Sequence, residues 1–184
     1  MQEEIKVDNK ITLRATSEET AEEKLASILA SRDQLLPWLP WVHLYDRDGL
    51  ENLKEYQRSK LAEFKEDKTY SYDILYDGHF AGNLEVMKIS EDDHRCEIGY
   101  WLASSATGKG IMTKSVKKVI EELQDKLKMH RIEIMAAEDN KASRAVIERV
   151  GGKLEGILKD WFRLEGEYHN LAIYGIVSSK TPKR

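Results

Sequence analysis

Between Glu97 and Thr113 the chain changes its hydrophobic period within a few residues. Glu97-Ile98-Gly99-Tyr100-Trp101-Leu102 alternates as a strand does, whereas Val116, Val119, Ile120, Leu123 and Leu127 fall on one face of a helix. The join between them, Thr107-Gly108-Lys109-Gly110-Ile111-Met112-Thr113, is glycine-rich. Glycines let backbone N–H groups converge with no Cβ in the way, and the unpaired first-turn amides of a helix, together with its dipole, favour an anion. A pyrophosphate-bearing cofactor suits such a place. A Walker loop needs Gly immediately before its Lys-Ser pair, but Thr113 precedes Lys114-Ser115 here; a dinucleotide fingerprint wants a third Gly or Ala where Thr113 stands. Taken alone, the segment also reads as an ordinary strand-to-helix turn.

The rest of the chain alternates between the same two periods. A strand at Ile11-Thr12-Leu13-Arg14 leads into a helix with Ala21, Leu25, Ile28, Leu29 and Leu36 at helical spacing, Thr16 or Ser17 as N-cap, and Pro37 and Pro40 as its stop. A second amphipathic stretch carries Leu50, Leu53, Leu61 and Phe64. Three strand-like runs, 69–76, 80–89 and 95–102, turn through Asp77-Gly78 and Glu91-Asp92-Asp93 and read as an antiparallel meander. After the glycine join and its helix come a strand at 131–136 and a short helix with Ala142, Ala145, Val146 and Val150 inward, ending at Gly151-Gly152. Two last strands, 153–164 and 168–177, turn through Glu165-Gly166-Glu167. The order βααβββαβαββ predicts an α/β fold, α+β-like in character, around one mixed sheet. With 184 residues, no internal repeat and no Pro/Gly/Ser-rich linker, the expectation is a single domain over 1–184, with 178–184 a polar tail.

Composition narrows the function classes. Lys plus Arg number 29 against 33 Asp plus Glu, and the net charge of −4 argues against direct nucleic-acid binding. No apolar run approaches a bilayer span and the N-terminus lacks the features of a signal peptide, so no membrane association is expected. Cys96 is the sole cysteine, which excludes an internal disulfide framework and a cysteine-rich zinc site and fits a reducing cytoplasm. It alternates with Ile98 and Tyr100 as a small core residue would, not as an acyl-enzyme nucleophile. The histidines, at 43, 79, 94, 130 and 169, show no i, i+4 pairing, and no metal is expected. A homo-oligomer is compatible with all of this.

The glycine join resembles the cofactor loop of the GNAT superfamily of acyl-CoA N-acyltransferases, Gln/Arg-x-x-Gly-x-Gly/Ala. Gly110 fits the central glycine, with Thr107 where Gln or Arg is usual and Met112 where Gly or Ala is usual. The core Gly108 to Thr113, G-K-G-I-M-T, is similar to that of the RimJ/RimL branch, which acetylates protein N-termini. Other landmarks of that branch follow in order along nearly the whole chain: Leu36-Pro37-Trp38-Leu39-Pro40-Trp41, Gly82-Asn83-Leu84, His130-Arg131-Ile132-Glu133, Asn140-Lys141-Ala142-Ser143 before Gly151, and Leu154-Glu155-Gly156 before Gly166-Glu167-Tyr168-His169.

The resemblance implies a GNAT fold, acetyl-CoA as cofactor, and single-step acetyl transfer to a primary amine. The implied acceptor is the N-terminal α-amine of a protein such as a ribosomal protein; a polyamine or aminoglycoside, or a non-catalytic acyl-CoA-binding module, is the alternative. Thr107 to Thr113, including Lys109 and Ile111, are implied to hold the pyrophosphate, and the backbone of Trp101, Leu102 and Ala103 the thioester and pantetheine. Ser143 matches the serine placed beside the coenzyme sulfur, while Ile147 stands where many relatives carry a tyrosine. Asn140 reads both as a helix N-cap and as a pantetheine partner. Glu97 is the first candidate for a base and Glu85 the second; half-exposed strand carboxylates without such a duty remain the alternative. Phe162 stands where a RimL-type glutamate base would fall. Trp38 and Trp41 are candidates to line an acceptor groove or to pack in the core.

Overall fold

The computed structural model describes residues 1–45, 49–164 and 166–179. Strands are β1 (Glu4–Lys6), β2 (Ile11–Ala15), β3 (Tyr70–Tyr76), β4 (His79–Ser90), β5 (Arg95–Leu102), β6 (Arg131–Ala137), β7 (Lys153–Leu164) and β8 (Glu167–Val177). Helices are α1 (Ala21–Ala30), α2 (Arg32–Leu35), α3 (Gly49–Lys65), α4 (Ile111–Asp125) and α5 (Lys141–Arg149). Short 3₁₀ segments at Glu18–Thr20, Pro40–Tyr45 and Ser104–Ala106 join them.

The strands form one mixed sheet in the order β1-β2-β3-β4-β5-β6-β8-β7. The expected meander β3-β4-β5 is antiparallel, and the single parallel pair is β5 with β6. Asp77 and Gly78 both take positive φ, the backbone that a two-residue hairpin needs to follow the twist of its strands. Three expectations change. The short β1 extends the sheet beyond β2. The first helix is broken at Ser31, whose hydroxyl accepts from the amide of Ser104 at 2.9 Å instead of leaving the turn undisturbed. Thr16 does not cap α1; its hydroxyl donates to buried Asp73 at 2.9 Å. Glu165 of the last turn and residues 180–184 of the tail lie outside the described residues.

Alternation along β5 sends Cys96 and Ile98 to the sheet face covered by α4, where Val116, Val119 and Leu123 are fully buried. Each such side chain contributes about 1.5–3 kcal/mol by leaving water. Trp101 points to the other face and joins a second core with Ile28, Leu35, Val42, Leu53 and Phe80, under α1 and α3. Burial pushes the Cys96 thiol up to about 12, so it is a neutral core residue. No described helix is long and apolar enough to cross a membrane, and no cluster of described residues could hold a metal ion.

Candidate active site

β5 and β6 pair only from Arg95 with Arg131 to Ile98 with Ile134. Beyond that point β5 stays with β4 as far as Leu102 opposite Gly82, while β6 stays with β8 as far as Ala137 opposite Leu171. The two central strands therefore part. Gly82 permits this on one side, since a Cβ there would stand 2.4 Å from the Trp101 carbonyl oxygen. With no side chain in the way, β5 leans onto β4 and away from β6.

Hydrogen-bonded pairs alternate along an antiparallel ladder. Ala103 donates its N–H to Ala81 O at 2.8 Å, so Trp101 and Gly99 also turn their backbone polar groups towards β4. The backbone groups released where the strands part belong to Tyr100 and Leu102. This corrects the expectation for Ala103, whose amide is used in the sheet, and for the backbone of Trp101, which faces β4, although the Trp101 side chain, largely core, still lines the cleft. The Leu102 carbonyl is touched by Gln34 Nε2 of α2 at 3.4 Å.

A cleft of about 1170 Å³ runs through this opening. One wall is the start of α4. Gly108 (φ 75) and Gly110 (φ 71) adopt the left-handed backbone, and nothing lies within 4 Å of where their side chains would begin. Lys114 is the first residue of α4 whose amide reaches a carbonyl four residues back, Gly110 O at 3.1 Å, and no side chain caps the helix. The amides of Ile111, Met112 and Thr113 thus have no acceptor among the described residues, and the open space before them fits a pyrophosphate. Thr107 also lines the cleft, its hydroxyl satisfied by Ser104 O at 2.8 Å. Lys109 does not line it; the ammonium lies 5.4 Å from the centre of the Tyr76 ring, a cation–π position. Lys114 lines it while paired to Asp8 at 2.7 Å, and that contact holds the Asp8 carboxyl down at about 2.

The opposite wall is α5. Asn140 is its N-cap, accepting from the Ser143 amide at 3.0 Å, and both side chains line the cleft. Ile147 is fully buried. The Ser143 hydroxyl donates to the Tyr100 phenol at 3.1 Å, a partner that alternation had assigned to the core.

At the mouth, Trp38 lines the cleft from one side and Trp161 and Phe162 from the other. Trp161 is 60 % exposed and sits in a bulge where the β7 register slips between Leu158 and Phe162. The bulge is pinned: the Asp160 amide donates to Asn170 Oδ1 at 3.0 Å, and Asn170 donates to Glu138 at 2.7 Å. Trp161 and Arg149, another lining residue, carry no signal in local sequence that places them here.

Three expected site residues stand elsewhere. Trp41 packs against Tyr45 and Trp101 in the second core, because its ring gains more from burial than from the mouth. Glu97 is paired with Lys88 at 2.8 Å, and Glu85 with Lys60 at 2.7 Å. Neither carboxylate lines the cleft, and no Asp, Glu or His does so among the described residues.

A model of the acetyltransferase (GNAT) domain matches residues 10–153. The chain belongs to the GNAT acetyltransferase family. Among GNAT proteins it is 28% identical to a putative ribosomal N-acetyltransferase, YdaF, of Bacillus subtilis (strain 168), over 94% of this chain and 93% of that one. The fold is similar to RimL, a ribosomal L7/L12 α-N-protein acetyltransferase in complex with coenzyme A (TM-score 0.90, 27% identity, 95% of this chain and 98% of that chain). It is equally similar to the Microcin C7 self-immunity acetyltransferase MccE in complex with acetyl-CoA and AMP (TM-score 0.90, 28% identity, 97% and 98%).

Proposed function

We propose that this protein transfers the acetyl group of acetyl-CoA to the N-terminal α-amine of a protein, with a ribosomal protein as the acceptor. In this reading the first amides of α4, together with Gly108 and Gly110, hold the pyrophosphate. The backbone of Tyr100 and Leu102, freed where β5 leaves β6, and the Asn140 side chain bind the pantetheine arm and orient the thioester carbonyl. Ser143 donates a hydrogen bond to sulfur as charge builds there. The coenzyme supplies the activated acetyl group.

The observation that carries the choice of acceptor is the absence of carboxylates from the cleft among the described residues. A polyamine is multiply charged and needs acidic groups to replace its water. Here the lining charged side chains are Lys114, paired to Asp8, and Arg149, and neither attracts a polycation. An extended peptide needs an open mouth with rigid walls, and Trp38 and Trp161 provide them at low entropic cost. The lone buried cysteine and such an acceptor support a cytoplasmic location.

The test offers labelled acetyl-CoA and purified protein to peptides with free N-termini, the same peptides blocked at the α-amine, ribosomal proteins, spermidine and an aminoglycoside. Label is expected on free N-termini and to be lost on blocking. Label on spermidine or the aminoglycoside alone would overturn the acceptor.

A further inference from the structure

Where β5 leaves β6, two hydroxyls close on each other across the opening. Tyr100 projects from β5 and Ser143 from the first turn of α5. The Ser143 hydroxyl donates to Tyr100 Oη at 3.1 Å, and Tyr100 donates back to the Ser143 carbonyl oxygen, also at 3.1 Å. Both residues line the cleft and both are half-buried. Among the described residues these are the only hydrogen bonds joining β5 beyond Ile98 to α5.

A hydroxyl has one hydrogen and two lone pairs. In the arrangement just described both hydrogens are spent within the pair, so Ser143 has none to offer to the cleft. Its amide is held by Asn140 at 3.0 Å, which fixes the backbone from which the hydroxyl projects. What can change is the direction of the two O–H bonds. If Ser143 turns its hydrogen into the cleft, Tyr100 can turn its own from the carbonyl to Ser143 Oγ, and no heavy atom moves. In the reversed order Ser143 accepts from a phenol while donating outward. A hydroxyl that is itself hydrogen-bonded by a donor is polarised and donates more strongly.

We propose that Tyr100 is a positioning residue for Ser143: the two hydroxyls reverse as a unit, so that Ser143 donates to a sulfur anion with Tyr100 donating behind it. This rests on the acetyl-CoA reading of the cleft, with Ser143 beside the sulfur. Burial pushes the Tyr100 phenol up to about 12, so it keeps its hydrogen throughout the neutral range. No proton changes owner in the reversal. It stabilises charge on sulfur in the transition state more than it binds the ground state, and so acts on kcat rather than KM.

Tyr100→Phe keeps the ring and removes the second hydroxyl. The expected result is a fall in kcat of about tenfold, with KM for acetyl-CoA within about twofold. A second readout needs no turnover. The thiol of bound coenzyme A is titrated through the ultraviolet absorbance of its thiolate, in wild type, Tyr100→Phe, Ser143→Ala and the double variant. Wild type should hold that thiol lower than Tyr100→Phe by about half to one pH unit. The double variant should match Ser143→Ala alone, in the titration and in kcat. Wild-type values in Tyr100→Phe, or losses that multiply in the double variant, would overturn the role of Tyr100. So would a lower kcat accompanied by a lower melting temperature with the bound thiol titrating as in wild type. If calorimetry shows that wild type does not bind coenzyme A, the cofactor reading fails and takes the inference with it.

Discussion

Gly110 holds φ 71 at the N-cap of α4, a backbone that costs an ordinary L-residue roughly 1–2 kcal/mol. Two substitutions separate that strain from charge, because Asn and Asp both tolerate the left-handed region and only one is an anion. Gly110→Asn should fold and bind coenzyme A with a modest loss. Gly110→Asp sets a carboxylate against the pyrophosphate, and like charges about 4 Å apart at an effective dielectric near 20 repel by roughly 4 kcal/mol, a loss of 100-fold or more. Calorimetry reads both, and equal affinities for the two variants would remove the anion site from α4. This residue was legible in the sequence because glycine at a strand-to-helix join specifies a backbone conformation. Asn140 was legible for a like reason, as the cap of one helix, and Ser143 through the resemblance to the RimJ/RimL branch. Tyr100 was not: alternation gives the face a side chain takes, but not the partner 43 residues away that it meets there. Glu97 was a base candidate through the family resemblance, and only the structure shows Lys88, at φ 51 in a bulge of β4, delivering an ammonium to it.

At the scale of elements, α1 is tied to the sheet by a polar knot that no hydrophobic pattern announces. Lys24 Nζ lies 2.9 Å from Asp73 Oδ1, with side chains 3% and 1% exposed, and Asp73 also accepts from Thr16, Thr20 and Asn83. Removing one partner of a buried ion pair strands the other without compensation. Asp73→Ala should therefore cost about 3–5 kcal/mol in chemical denaturation, whereas Lys24→Met with Asp73→Leu should recover most of it. A loss below about 1 kcal/mol for Asp73→Ala would mean that water reaches Lys24. The knot explains two misreadings of the N-terminal third. Thr16 has the residue type of an N-cap, but its hydroxyl serves Asp73, and α1 begins only after a 3₁₀ turn at Glu18–Thr20. The helical period runs on through Ser31, yet tertiary hydrogen bonds to Ser104 break the helix there and swing α2 over the end of β5. Where long periodic segments pack on one face, as in α4, β4 and β5, the sequence pattern and the structure agree to within a residue or two. β1, at three residues, is too short to show a period.

Over the whole molecule the charges divide between surface and cleft, and that division dictates how activity should depend on pH. Acidic residues outnumber basic ones in the chain, yet among the described residues no Asp, Glu or His lines the cleft. In the proposed reading no lining Asp, Glu or His takes the acceptor's proton, and the acceptor reacts as the neutral amine. An α-amine with a pKa of about 7.9 is about a tenth neutral at pH 7, against roughly one part in 2,500 for a lysine side chain at 10.4. The difference, roughly 300-fold, selects N-termini over lysines before any contact is made. For a peptide with a free N-terminus, kcat/KM should rise about tenfold per pH unit below pH 7 and level near the pKa of that amine. The inflection should move with the acceptor when its first residue changes the amine pKa. Glu97→Gln and Glu85→Gln should leave the profile in place, since their carboxylates are held by Lys88 and Lys60 away from the cleft. A peptide blocked at its N-terminus but bearing lysine should react at under about a hundredth of the rate at pH 7 and gain on the free peptide as pH rises past 8. An acid-side inflection common to every acceptor, and abolished by Glu97→Gln, would instead return the proton to a carboxylate and require β5 to turn that side chain into the cleft when the acceptor binds.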